Sequence, residues 1–226
     1  MSFERALPLI GADGLARLAE SRVAVVGVGG VGGHVAEQLA RCGVGEIVLI
    51  DGDVVEKSNL NRQIVALTST LGLNKAEIMR DRIEDINPDC RAEAYPVMLD
   101  GSNCARLLDV VDYVADAIDQ LSAKADLAQF CVERGLPIVS AMGAGNRAGY
   151  CEFSVTDIYK TQYDPLAKKF RRMMKERGVK KLDVCYTPVP PSYTGSGVAS
   201  VSYTPAACGI RMAAYIAERL LAKRSC

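Results

Sequence analysis

An acid nineteen residues beyond a glycine cluster constrains this chain more than any other feature. The cluster is Gly27-Val28-Gly29-Gly30-Val31-Gly32 and the acid is Asp51. Val23 to Val26 is a short, apolar, β-branched run, which predicts a buried strand. Beyond the cluster Val31, Val35 and Leu39, with Ala36 and Ala40 beside them, repeat at helical spacing. Between strand and helix, Gly27, Gly29, Gly30 and Gly32 allow positive φ and let a phosphate approach amides at a helix N-terminus. Asp51 ends a second apolar run, Ile47 to Ile50, where a carboxylate can accept hydrogen bonds from ribose hydroxyls. The pattern predicts an adenine-nucleotide site on a Rossmann-like, doubly wound, mostly parallel α/β sheet. A tight turn without a ligand is the plainer alternative.

A glycine fingerprint of this kind commonly serves nicotinamide or flavin dinucleotides, so an NAD-dependent oxidoreductase is one reading. The residues after Asp51 favour another. Asp53, Asn59, Arg62 and Gln63 follow closely, and Lys75 opens a helix that runs to Ile86 and stops at Asn87-Pro88. A dinucleotide pyrophosphate can be held by backbone amides alone. Attack at a phosphorus of ATP builds charge that preorganised cations stabilise, and Arg62 and Lys75 supply two. Lysine at a helix N-terminus opposes the macrodipole, which an anion in front of it would explain.

Between Val23 and Asp119 the stretches GVGGVG, LIDGD, SNLNRQ, Lys75 and Asp116-Ala117-Ile118-Asp119 resemble the adenylating enzymes related to ubiquitin activation. Phe3-Glu4-Arg5, Ile86-Asn87-Pro88-Asp89-Cys90 and Asp164-Pro165-Leu166-Ala167 make the chain most similar to the tRNA threonylcarbamoyladenosine dehydratases within that group. The resemblance implies ATP and Mg²⁺, tRNA carrying threonylcarbamoyladenosine as substrate, and a homodimer. Arg62, Lys75 and Asp119 become the expected catalytic residues, with Asp119 near the phosphate-bound Mg²⁺; a cap for the following helix is its other reading. Arg5 is either a solvated arginine or a group reaching the triphosphate of a neighbouring subunit. A sulfur-transfer protein partner and a monovalent cation at the turn Met142 to Gly145 are further possibilities that the resemblance raises. An activator of a ubiquitin-like sulfur carrier is the alternative within the same group.

Composition narrows the field. The 226 residues are 49% hydrophobic, enough for one domain with a substantial core. We expect a nucleotide-binding core over residues 1–149 and a C-terminal extension over 150–226, with antiparallel strands in the extension. The 27 basic and 27 acidic residues cancel, so attraction to nucleic acid must come from a local patch. Such a patch exists: eight cations face one acid between Lys168 and Lys181. Lys168, Lys169, Arg171, Arg172 and Lys175 form either a solvated helix face or an RNA-binding surface. Tyr150, Phe153, Tyr159, Tyr163 and Phe170 nearby are core residues or base-stacking ones.

The eight cysteines show no CxxC, which argues against a zinc site and suggests reduced thiols in the cytoplasm. Cys185 and Cys208 read as structural. The single histidine, His34, reads as a packed helix residue and makes a histidine-based mechanism improbable. Glu4 and Arg5 precede any apolar stretch and Arg211 interrupts Ala206 to Ala217, so neither signal peptide nor membrane span is expected. Pro188 to Gly197 predicts a mobile loop, and a closing helix follows from Ala206.

Overall fold

The computed structural model describes residues 3–149 and 151–222. In chain order the elements are α1 (Leu7–Ala19), β1 (Arg22–Val26), α2 (Gly32–Cys42), β2 (Glu46–Ile50), α3 (Lys75–Ile86), β3 (Arg91–Tyr95), α4 (Cys104–Leu107), β4 (Tyr113–Asp116), α5 (Leu121–Glu133), β5 (Ile138–Ala141), β6 (Ser154–Asp157), α6 (Pro165–Glu176), β7 (Asp183–Tyr186) and α7 (Tyr203–Ala222). The strands form one sheet in the order β3-β2-β1-β4-β5-β7-β6. All neighbours are parallel except β6 and β7. This is the doubly wound architecture expected, with an antiparallel pair contributed by the C-terminal half.

Strand β1 explains why its sequence is continuously apolar. Val23 and Val25 belong to the core on one face of the sheet, while Ala24 and Val26 belong to the core on the other. A strand covered on both sides has no solvent face on which to place polar residues. The first face is covered by α1, α2, α3 and α7 through Leu18, Leu39, Met79, Ile83, Met212 and Ile216. Helices α4, α5 and α6 cover the second through Leu107, Leu127, Phe170 and Met174.

Local chemistry sets the helix ends. Asn74 caps α3 by accepting from the Ala76 and Glu77 amides at 2.9 and 3.2 Å, a cap that the apolar period alone did not reveal. At the far end Asn87 donates to the Ala40 carbonyl at 3.1 Å, fastening α3 to α2. Gly43 closes α2 at φ 95, and the Phe3 ring lies against it.

The antiparallel strand runs from Ser154, where β7 first provides a partner, while Cys151 and Phe153 enter the core. Helix α1 starts at Leu7 and is interrupted at Gly11, whose φ of 72 breaks helical geometry. One expectation needs correction: the closing helix starts three residues before Ala206, with Pro205 tolerated in its first turn. Residues 188–197 have no regular structure, as expected, and hang on Asn146. Its carbonyl accepts from Ser192 and Tyr193, and its side chain accepts from the Ala199 amide at 2.7 Å. Among the described residues no helix is long and apolar enough to cross a membrane. Tyr150 lies outside the described residues.

Backbone approaches backbone closely at Gly32, where an added Cβ would lie 1.7 Å from the Gly27 carbonyl oxygen. Gly101 by contrast has nothing within 4 Å. Gly32→Ala is expected to lose about 1–3 kcal/mol or more, and Gly101→Ala less than ~0.5 kcal/mol. Equal denaturant midpoints for the two variants would contradict the close approach.

Candidate functional site

The site lies where β1 and β4, neighbours in the sheet, send their chains in different directions. Parallel sheets open a crevice at such a point, beyond the carboxyl ends of the strands. Gly27 leaves β1 at φ 85, and a Cβ there would come within 2.7 Å of the Ala117 carbonyl oxygen after β4. The turn is therefore drawn tight against the next strand, and α2 begins at Gly32 directly after it.

Asp51 fixes this turn from the end of β2. One carboxylate oxygen accepts from the Val28 amide at 2.6 Å and the other from the Asp53 amide at 2.8 Å. Burial pushes its pKa up, opposed by those two amides and by nearby Lys75; the net shift is upward. Ionisation therefore costs more here than for a free carboxylate, and further donors from a ligand would relieve that cost. Each oxygen keeps one acceptor direction for such a donor.

Lys75 is buried at the start of α3, and its Nζ meets Asp53 Oδ2 at 2.8 Å. Asp53 itself is half exposed. On the other flank, a Cβ at Gly30 would be 3.5 Å from Arg62 Cγ, and one at Gly29 would be 3.7 Å from Gln63 Nε2. Arg62 donates through one nitrogen to the Ser58 carbonyl and Asn61 side chain. Gln63 is buried with its Oε1 lacking a hydrogen-bond partner. Asn59 is buried beneath them, its side chain accepting from the Glu56 amide and its carbonyl accepting from the Gln63 amide. The chain thus brings Gly27, Gly29, Gly30, Gly32, Asp51, Asp53, Asn59, Arg62, Gln63 and Lys75 around one turn.

Asp119 stands two residues beyond Ala117, exposed and, among the described residues, without a hydrogen bond or ion pair. It does not cap α5, whose N-cap is Gln120. Arg5 does not join the cluster within one chain. Phe3 packs at Gly43, the far end of α2 from the glycine turn, and eleven helical residues span about 16 Å. His34 lines an open cavity of about 340 Å³ with Arg62, Gln63 and Tyr203. Burial lowers its pKa, which keeps the ring neutral near pH 7.

Sequence reasoning missed two buried ionic groups. Asp116 and Lys124 are both 0% exposed, with Nζ 3.0 Å from Oδ2. Lys124 also donates to the Ile118 carbonyl at 3.0 Å, and Asp116 accepts from the Ile118 amide at 3.1 Å. The pair therefore staples the short connection that carries Ala117 and Asp119. The available signal was Lys124 itself, a lysine on the apolar side of α5. The second group is Arg147, which donates to the Gly143, Gly145 and Val189 carbonyls at 2.7, 3.0 and 2.7 Å. Beside it Asp164 accepts from Gly143 and, as the cap of α6, from Leu166 and Ala167.

Helix α6 presents Lys168, Lys169, Arg172 and Lys175 to solvent. Arg171 is committed elsewhere, donating to the Thr161 carbonyl and hydroxyl at 2.9 and 2.8 Å. Phe170 and Phe153 are buried in the two cores. Cys185 and Cys208 are fully buried with their sulfurs 3.8 Å apart, and the Cys208 thiol is held well above its usual pKa by its bond with Cys185 and by burial. Neither is placed to act as an exposed nucleophile.

Residues 2–225 match the ThiF family. The chain belongs to that family. Among curated relatives of this ThiF-family chain is the tRNA threonylcarbamoyladenosine dehydratase of Bacillus subtilis, 44% identical over 180 residues, which are 79% of this chain and 71% of the relative. The Escherichia coli protein of the same name is 44% identical over 168 residues, 74% of this chain and 63% of the relative. A crystal structure of the E. coli tRNA N6-threonylcarbamoyladenosine dehydratase in complex with ATP superposes with a TM-score of 0.92 at 36% identity, covering 97% of this chain and 93% of that one.

Removing Lys124 would leave Asp116 buried without its cation. Lys124→Met is expected to cost about 3–5 kcal/mol, a fall of ~10 °C in melting temperature. Adding Asp116→Asn should recover part of the loss, because the neutral amide can keep the bond from Ile118. A double variant as unstable as the single one would show that the unpaired charge is not the cause.

Proposed function

We propose that this ThiF-family chain uses ATP to adenylate the carboxylate of threonylcarbamoyladenosine in tRNA and so closes it to a cyclic form. The carrying observation is the glycine cradle at the β1–β4 crevice, flanked by Asp51, Lys75 and Arg62, in a chain so similar to a dehydratase solved with ATP. Amides of the Gly27 to Gly32 turn face the phosphates, and Asp51 accepts from the ribose. The unpartnered Gln63 Oε1 and the half-exposed Asp53 are polar groups at the same turn that a nucleotide can engage.

The substrate carboxylate attacks the α-phosphorus and pyrophosphate leaves, its developing charge met by Arg62 and Lys75. Lys75 is paired with Asp53 beforehand, so it is oriented without being sealed off. A carbamoyl nitrogen then attacks the activated carbonyl, loses its proton and expels AMP. The oxygen lost from the nucleoside leaves on AMP, which balances the net loss of water. Ring closure needs orientation more than acid–base help, since nucleophile and electrophile belong to one substituent.

Asp119 suits a role beside phosphate-bound Mg²⁺, being exposed and unpaired at the carboxyl end of β4. When bound, that ion would add neutralising charge at the phosphates. The turn at Gly143 already directs two carbonyls at Arg147, so a monovalent cation there has no part in this reading. Nor does the reaction as written require a sulfur-transfer protein.

Arg5 enters only through a second copy. We assign the chain a homodimeric working form in which Arg5 of one copy meets the triphosphate of the other. The exposed row of Lys168, Lys169, Arg172 and Lys175 is assigned to the tRNA backbone, with contacts that weaken steeply as salt rises. The whole chain, 1–226, is taken to act as one adenylating unit.

Incubation with threonylcarbamoyl-modified tRNA, ATP and Mg²⁺ should lower the mass of that nucleoside by one water, read by nucleoside mass spectrometry. An unchanged nucleoside would sink the assignment. Arg62→Ala and Asp119→Ala should each reduce turnover by about a hundredfold or more without changing the melting temperature. Mixing inactive Arg5→Ala and Arg62→Ala chains should restore activity through hybrid dimers; no recovery would remove the shared site.

A further inference from the structure

Tyr163 combines two features that packing does not reward. Its backbone lies at φ 57, the left-handed region that a side chain bearing a Cβ rarely adopts. Its ring is 68% exposed, and among the described residues its hydroxyl has no hydrogen-bond partner. The conformation is imposed from both sides. Thr161 is buried and its hydroxyl donates to the Ile158 carbonyl, while Arg171 donates to it in turn. On the other side the Asp164 carboxylate holds the first turn of α6 and the Gly143 amide together. The neighbours of Tyr163 are fixed, and the ring between them is held out into solvent.

Place and charge identify what such a ring would meet. Gly143 follows β5, so its bond to Asp164 puts Tyr163 at the carboxyl edge of the sheet, the edge that carries the glycine turn and Asp119. Lys160, Lys168 and Lys169 flank it in sequence and are exposed. Several other described aromatics of this region are engaged. Phe153 and Phe170 are buried, and Tyr159 donates its hydroxyl to the Val179 carbonyl. Tyr193 and Tyr203 are exposed, but the Tyr193 hydroxyl donates to the Ser196 carbonyl and the Tyr203 hydroxyl accepts from the Gly149 amide. An exposed aromatic face on a fixed stretch of backbone, bordered by cations, fits an unpaired nucleic-acid base with its adjoining phosphates.

We propose that Tyr163 stacks on an unpaired base of the RNA substrate while Lys168 and Lys169 hold the neighbouring phosphates. This rests on the tRNA reading above and makes Tyr163 a positioning residue, since it orients the RNA and does not touch the reacting atoms.

The chain contains no tryptophan, so Tyr163→Trp creates a single fluorescent reporter at this position. Titrating that variant with an anticodon stem-loop should quench its emission, and a fully paired duplex of equal length should not. Binding is followed separately by anisotropy of labelled RNA. Tyr163→Asn tolerates the left-handed backbone but removes the ring. It should keep the melting temperature and ATP affinity of the parent while weakening stem-loop affinity by roughly ten- to a hundredfold. Tyr163→Phe should bind as the parent does. Unchanged emission while the stem-loop binds, or full affinity in the asparagine variant, overturns the stacking and leaves the tRNA reading standing. If the parent chain binds no RNA at all, both fall together.

Discussion

Everything at this site depends on how closely two backbones approach between β1 and β4. A Cβ at Gly27 would meet the Ala117 carbonyl, and one at Gly32 would meet the carbonyl of Gly27. Only residues without side chains permit that path, and the path sets where α2 begins and therefore where its free amides lie. Asp51 completes the arrangement by accepting the Val28 amide, so the residue assigned to the ribose is also the one that shapes the turn. Cradle and recognition group are a single mechanical unit.

Charges around the cradle fall into two classes. Asp116 with Lys124 is fully buried and satisfied largely within the protein, an arrangement whose value lies in fixing a connection and not in net stability. Lys75 with Asp53, by contrast, pairs a buried cation with a half-exposed anion. Such a pair orients the lysine yet can be exchanged for a phosphate oxygen, because water already stabilises the aspartate. Arg62 and Asp119 complete the second class at the crevice mouth.

The C-terminal half reaches the same edge of the sheet by a separate route. Arg147 gathers carbonyls from the Gly143 turn and from Val189, and Asp164 joins that turn to the start of α6. Helix α6 is thereby registered against the end of β5, at the same carboxyl edge of the sheet that carries the glycine turn.

The sequence by itself determined the strand–turn–helix, the acid that follows it, the mostly parallel α/β class and the basic helix, because each is written in short-range spacing. Val23 to Val26 is apolar because both faces of its strand are covered, and that pattern survives in one dimension. Strands β3 and β7 were not legible: Arg91–Tyr95 lies at the sheet edge and carries charge, and Asp183–Tyr186 has four residues, too few for a period. Lys124 with Asp116, Arg147 with Asp164, and the isolation of Arg5 from its own cradle were decided by tertiary structure alone. These are relations between residues distant along the chain or hidden by packing, and a side chain's burial and partners exist only once the sheet has assembled. The same holds for the five basic-helix candidates and their aromatic neighbours, where folding spent Arg171 and Phe170 internally and left Tyr163 in the open.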